Sequence, residues 1–211
     1  MLNALKIASI WLADSRLVIA SYVRDKLKPG YTGRFVIHHH KASHEHWDLR
    51  LEFPVDNVAK ALGEYGRRRK EGPEPRPSAK DVPGTVLRSW AIPKHRVPSK
   101  GSPLLAHETE DHAIEYRSFK GTIPEGLYGA GTVDIYDHGT FKLTDVDYDK
   151  KYSFEMHGNK VTGPFALVKT SGNNFLWIKA SSKEASDYDL TNNFINGSSA
   201  GTICRDQFNT D

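Results

Sequence analysis

The sequence predicts a mostly β protein, a closed or nearly closed β-barrel carrying an N-terminal helix and a long basic loop. Two observations carry this expectation. Short β-prone runs recur from residue 34 to about residue 180, with Gly and Pro between many of them. In residues 46–53 polar and apolar side chains alternate without a break, as a strand with one buried face requires. At 211 residues the chain is long enough to bury a real core, and one domain is expected.

The elements follow in chain order. The opening "MLNALKIASIWLADSRLVIASYV" reads as an amphipathic helix packed on the domain, within a helical segment 1–30. Its apolar run is too short to span a bilayer and is followed by Asp14 and Arg16. Residues 35–40 and 46–53 read as two strands joined by a short turn. Residues 63–84, "GEYGRRRKEGPEPRPSAKDVPG", hold four prolines and ten charges with almost no apolar residues. Such a segment cannot form a core, so a mobile insertion is expected. Strands follow at 89–92, 132–136 and 165–169. Gly121, Gly126, Gly129, Gly131 and Gly139 read as turn chemistry, because no Walker or dinucleotide spacing is present. The barrel domain is therefore placed at 31–180, and the Ser-, Asn- and Asp-rich stretch 181–211 is read as a flexible tail.

Composition excludes some classes. The net charge of +3 identifies no partner, although basic residues cluster at 67–70 and at Lys94, Arg96 and Lys100. A lone Cys204 rules out an intramolecular disulfide framework and a multi-Cys zinc site, which fits a reducing compartment. No membrane association is expected, and Asn196-Gly197-Ser198 has no meaning as a glycosylation acceptor without a secretory signal.

The chemistry gathers in "HHHKASHEHWDLRLEF", where five of the ten histidines lie between His38 and His46. Strand alternation places His46, Asp48, Arg50 and Glu52 on one face and Trp47, Leu49, Leu51 and Phe53 on the other. The apolar set suits a barrel interior. By the same alternation His38 and His40 share a face of the preceding strand, and the five residues after His40 let the chain turn back toward His46 and Asp48. Two imidazoles and a carboxylate suit Mn²⁺, Fe²⁺, Co²⁺ or Zn²⁺ with coordination positions left open. On spacing alone a surface histidine cluster fits as well. Further on, "HETEDHAIEYRSF" brings Glu110, Asp111, His112 and Tyr116 close in sequence, which alone reads as a polar turn.

Three stretches together narrow the reading. "FVIHHHKASHEHWDLRLEF", "RSWAIPK" and "ETEDHAIEYRSFKGTIPEGLYGAGTVDIYDHGTF" occur in this order. They closely resemble the 3'-phosphoesterase domain of bacterial and archaeal DNA ligase D and its free-standing relatives, and a free-standing member is expected. The resemblance covers roughly residues 34–180, with "KVTGPFALVKT" and "FLWIKA" resembling the family's last strands. It implies a barrel whose outer concave surface holds a Mn²⁺-dependent site for the 3' end of a nucleic acid. It also implies that His40, His46 and Asp48 bind the metal, that Arg50 and His112 contact phosphate, and that Tyr116 is needed for activity. Lys94 falls at the lysine of the family's S-W-x-x-P-K motif. His38 stands where the family usually has Gln, as a hydrogen-bonding neighbour, and Glu110 is a further residue of the outer shell.

Those residue types suit the chemistry, because metal, guanidinium and imidazolium offset charge that builds on a phosphate ester. Two departures stand out. Asp25 has no matching Glu before the first strand, and Leu104 stands where the family often has Arg, a place that Arg96 or Lys100 would have to fill. The leading expectation is removal of 3'-terminal ribonucleotides or 3'-phosphates to leave a 3'-OH on DNA or an RNA/DNA primer-template. Any ligase or polymerase would be a separate partner of a monomer in the cytoplasm or nucleoid, or in the nucleus of a eukaryote. A non-catalytic end-binding module is the alternative. A non-haem Fe(II) oxygenase using His46, Asp48 and His112 accounts for fewer of these residues.

Overall fold

The computed structural model describes residues 22, 23, 25–68 and 83–181. Nine strands, β1 (Thr32–Lys41), β2 (Glu45–Val55), β3 (Gly84–Ile92), β4 (Leu104–Glu108), β5 (Gly121–Ile123), β6 (Gly131–Asp147), β7 (Lys151–Gly158), β8 (Thr162–Ser171) and β9 (Asn174–Lys179), form one antiparallel sheet. Their order is β1-β2-β3-β4-β9-β8-β7-β6-β5, and β1 also pairs with β6. That pairing closes eight strands into a barrel and leaves β5 as an extra strand on β6. Closure removes the exposed edges that an open sheet would present. The expected fold class is therefore the observed one.

The five strands expected from sequence all form, and each runs longer than its β-prone kernel. β4, β5 and β7 went unread, although Lys151–Gly158 alternates polar residues with the core residues Tyr152, Phe154 and Met156. The interior is aromatic: Phe35, Phe53, Trp90, Phe141, Phe154 and Trp177 are all buried in one cluster. Trp47, Leu49, Leu51 and Phe53 enter the same cluster, so the face assigned to the barrel interior is the interior face. Full burial of each large side chain contributes about 1.5–3 kcal/mol.

The helical residues Tyr22, Val23, Asp25 and Lys26 lead into β1, with Val23 and Leu27 in the core; residues 27–30 of the segment expected to be helical bend and turn instead, and residues 1–21 and 24 lie outside the described residues. Helix α1 (Val58–Arg68) differs from expectation, since it takes up the start of the stretch read as a loop. Asn57 caps it, its Oδ1 accepting from the Lys60 N–H at 2.8 Å. Val58, Ala61 and Leu62 pack with Val86 and Ala113, which gives residues 58–62 an apolar face that composition of the following segment hid. Gly63, at φ 47 and ψ −136, interrupts the helix. Residues 69–82 and the tail 182–211 lie outside the described residues. No helix among the described residues is long and apolar enough to cross a membrane.

Most of the glycines read as turns do have positive φ, but Gly139 does not belong with them. It lies within β6, and a Cβ there would stand 2.1 Å from the His157 carbonyl oxygen on β7. Close strand approach, not a turn, requires it.

A second apolar cluster sits on the outside of the barrel. Leu87 of β3, Val133 of β6 and Ile123 of β5 pack with Tyr116 and Phe119, with Leu127 against them. Tyr116 belongs to a 3-10 turn, Ile114–Ser118. This cluster fastens residues 109–130 over the outer face of β1, β2 and β3. That segment makes the polar face of β1 and β2 a buried site instead of a solvated one.

Candidate metal centre

The register of the first hairpin places His40 opposite His46 and His38 opposite Asp48. Cross-strand partners share a face, so the hairpin alone assembles two histidines and a carboxylate. Their ligand atoms lie within 4.8 Å of one another. His40 Nδ1 is 3.9 Å from Asp48 Oδ2, and His46 Nε2 is 3.5 Å from Asp48 Oδ1.

The outer ring nitrogens are held by backbone. His40 Nε2 donates to the Gly129 carbonyl at 2.9 Å, and His46 Nδ1 donates to the His44 carbonyl at 2.8 Å. Carbonyl oxygens only accept, so these contacts hold a proton on each outer nitrogen, and in the neutral rings His40 Nδ1 and His46 Nε2 would turn lone pairs inward. Gly129 has φ 76, which suits the glycine that presents this carbonyl. Three converging donors with their outer partners in place fit a divalent cation with open positions.

Arg50 occupies the centre of the site and is 4% exposed. Nη2 donates to Asp48 Oδ2 at 3.0 Å, Nε to His38 Nδ1 at 3.2 Å and Nη1 to Ser89 Oγ at 2.7 Å. The guanidinium also lies 5.0 Å from the centre of the Tyr116 ring. Burial would raise the Asp48 carboxyl, but Arg50 and the hydrogen bond from His46 outweigh it and hold the group well below the usual carboxylate range. Burial, reinforced by Arg50, pushes His38 down to about 3, so its Nδ1 is a neutral acceptor. Burial also lowers His40. Burial lowers His46 as well, but the Asp48 hydrogen bond and charge overcome this and leave it raised.

His112 reaches the site from the covering segment. Its backbone pairs with Leu87 in both directions, at 2.8 and 2.9 Å. Nδ1 donates to the Glu110 carbonyl at 2.9 Å, leaving Nε2 to accept from Arg50 Nη1 at 3.1 Å. Tyr116 packs beside both halves, its ring centre 5.4 Å from that of His38 and 5.0 Å from that of His112. Glu110 contributes its carbonyl to His112, while its carboxylate accepts from Tyr128 Oη at 3.4 Å.

The structure thus brings together His38, His40, His46, Asp48, Arg50, His112 and Tyr116, with Glu110 at the rim. Lys94 stands exposed in the loop after β3, with no ion pair to the group among the described residues. Asp25 is exposed. Leu104 is a core residue of β4, 3% exposed and directed into the barrel. Arg96 bonds Ser102 within its own loop at 3.3 Å. His112 stands across Arg50 from Asp48, and the third member of the ligand group is His40.

Sequence reading missed Ser89. It is fully buried, sits opposite Arg50 on β3, donates to the Leu87 carbonyl at 3.1 Å and lies 3.2 Å from His112 Nδ1. A serine in a short strand carries no local signal; only the β2–β3 register exposes its role.

Comparison with known proteins decides the family. Residues 82–169 match the family model of the DNA ligase D 3'-phosphoesterase domain. The chain belongs to that family. It is 36% identical over 145 residues to the multifunctional non-homologous end joining protein LigD of Mycobacterium bovis, covering 67% of this chain and 15% of that protein. The corresponding protein of Mycolicibacterium smegmatis is 33% identical over 159 residues, covering 71% of this chain and 17% of its own length. That of Pseudomonas aeruginosa is 31% identical over 164 residues, covering 74% and 16% respectively. The matched region is thus about a sixth of these relatives' length.

Proposed function

We propose that this 3'-phosphoesterase family member is a metal-dependent hydrolase that processes the 3' end of a nucleic acid in end-joining repair. It would remove 3'-terminal ribonucleotides or 3'-phosphates and leave a 3'-OH. The observation that carries the reading is the contact between two groups of different chemistry. A three-ligand set, His40, His46 and Asp48, is joined through Arg50 to His112. An ion bound by the first group, Mn²⁺ by the family resemblance, would supply Lewis-acid charge and orientation to the phosphate and the attacking water.

The chain's own residues would do the remainder. Arg50 would place a fixed cation beside the carboxylate, lending its charge to the phosphate from a guanidinium whose nitrogens already hold His38, Ser89 and Asp48. His112 has one nitrogen held by a carbonyl and the other facing Arg50, so Nε2 is the atom available to give or take a proton. Hydrolysis adds water across the P–O bond: hydroxyl goes to phosphorus and a proton to the departing 3' oxygen. Tyr116 holds His38 and His112 apart and walls the guanidinium from solvent. Exposed Lys94, Arg96 and Lys100 would meet the DNA backbone. The product would pass to a ligase or polymerase acting on the same end.

A 5'-labelled primer-template ending in a 3'-phosphate or a 3'-ribonucleotide tests this. Shortening or dephosphorylation with Mn²⁺ that stops with EDTA supports the reading. Tight binding of the same ends without turnover, in any divalent metal, would instead assign an end-binding module.

A further inference from the structure

The covering segment carries an exposed aromatic at the lip of the site. Tyr128 is 65% exposed, more than any other large hydrophobic residue among the described residues. Its position is built, however. The preceding Leu127 packs into the outer apolar cluster. The loop is drawn tight by Leu127 N–H to the Pro124 carbonyl at 3.3 Å and Ala130 N–H to the Leu127 carbonyl at 3.1 Å. The following Gly129 holds His40 through its carbonyl, and Tyr128 Oη reaches Glu110, whose own carbonyl holds His112. Tyr128 is therefore tied at one end to the ligand group and at the other to His112.

The topology sets what lies on each side. β1 stands between β2 and β6, so the ligand group is flanked by the loop after β3 and by the loop that enters β6. The first loop carries exposed Lys94, His95, Arg96 and Lys100 and suits a charged backbone. The second presents an aromatic face and suits a base.

We infer that Tyr128 is a specificity-determining contact that stacks on the nucleobase of the 3'-terminal nucleotide. The inference rests on the 3'-end reading above. A tyrosine placed by a rigid loop gives contact area at small entropic cost. Any base offers a face to stack on, so the contact would recognise a nucleotide without reading its identity.

The test compares two primer-templates, one ending in a 3'-terminal ribonucleotide and one in the same ribose without a base. Wild type, Tyr128→Ala, Tyr128→Phe and Tyr128→Trp are measured for KM and kcat in Mn²⁺ and for equilibrium binding in EDTA. Tyr128→Ala is expected to weaken binding and raise KM on the order of 10- to 100-fold for the base-bearing end. The abasic end should change by less than about 3-fold, as should kcat on either end. Phe and Trp should retain the preference for the base-bearing end, Phe showing that the ring and not its hydroxyl acts. Equal losses on both ends, or none on either, would overturn the inference. Base-dependent binding that vanishes in Tyr128→Ala, in a protein without turnover, would sustain it and sink only the phosphoesterase reading.

Discussion

Arg50→Lys separates a guanidinium that merely contacts a substrate from one that also holds the site together. Sequence reasoning alone expects Lys here to fold normally, bind metal and lose turnover. The structure changes the first of these. Arg50 sends three different nitrogens to His38, Ser89 and Asp48, all buried. A lysine ammonium has one nitrogen on a flexible stem and cannot reach all three at once. It would stay with the carboxylate, leaving His38 Nδ1 and Ser89 Oγ without their donor. Each buried hydrogen bond lost costs on the order of 1–1.5 kcal/mol, so the substitution should destabilise the protein by about 2–3 kcal/mol. For a barrel of this size that corresponds to a fall in Tm of about 5–10 °C. Arg50→Ala should cost more, about 3–5 kcal/mol, because it leaves the buried carboxylate uncompensated. Thermal melting checks the fold, metal content after dialysis checks the ligand group, and turnover checks the chemistry. An Arg50→Lys protein that melts within about 1 °C of wild type would refute the three-way clamp.

Asp48→Asn should remove most of the divalent-metal affinity, since it withdraws the only carboxylate among three donors; calorimetric titration that still shows wild-type affinity would move the site elsewhere. Asp111 should give stability a pH dependence of its own. Burial pushes its carboxyl up to about 7, against Arg88, with Glu108, Asp149 and Glu110 adding to the rise. A raised folded value means that its contribution is fully present below about pH 4 and is lost as pH rises through about 7. Asp111→Asn should therefore match wild type in urea at pH 4 and exceed it at pH 8, by about 2–4 kcal/mol at most. An equal difference at both pH values would exclude the titration. Deleting residues 67–70 should flatten the dependence of log affinity on log salt by roughly 0.7–0.9 per lost phosphate contact, with saturated turnover nearly constant; a slope equal to that of wild type would leave these residues no part in binding.

The ligand group was legible because strand alternation is short-range. Residues 46–53 state their own two faces, and a five-residue return is enough to bring His40 to His46. What was hidden depends on contacts between segments far apart in sequence. Ser89 reaches Arg50 across 39 positions and the Gly129 carbonyl reaches His40 across 89. Leu104 shows the opposite failure: motif spacing marked it as a lost phosphate contact, yet β4 points it into the core. Helix α1 was hidden for a local reason, because its apolar residues end at Leu62 and the charged run begins within its last turns.

The site's two halves have different mechanical origins. The candidate ligands His40, His46 and Asp48 sit on β1 and β2 in strict alternation with Ile37, Trp47, Leu49 and Leu51, which are core residues. A one-residue slip that moved His40 or Asp48 would also turn those side chains out of the barrel, so the ligand geometry is as stable as the barrel itself. His112, Tyr116 and the Gly129 carbonyl come instead from residues 109–130, fastened by the outer apolar cluster, by Ala113 against Leu62 and Val86, by β5 on β6, by Arg117 with Glu52 and by the paired backbone of Leu87 and His112. Local opening draws on the least-buttressed parts of a fold. The covering segment, held by fewer backbone pairs than the closed barrel, should therefore exchange its amides before β1 and β2 do, and equal protection would refute this difference. Its opening would withdraw His112 from Arg50 and the Gly129 carbonyl from His40 together, because both contacts come from that one segment.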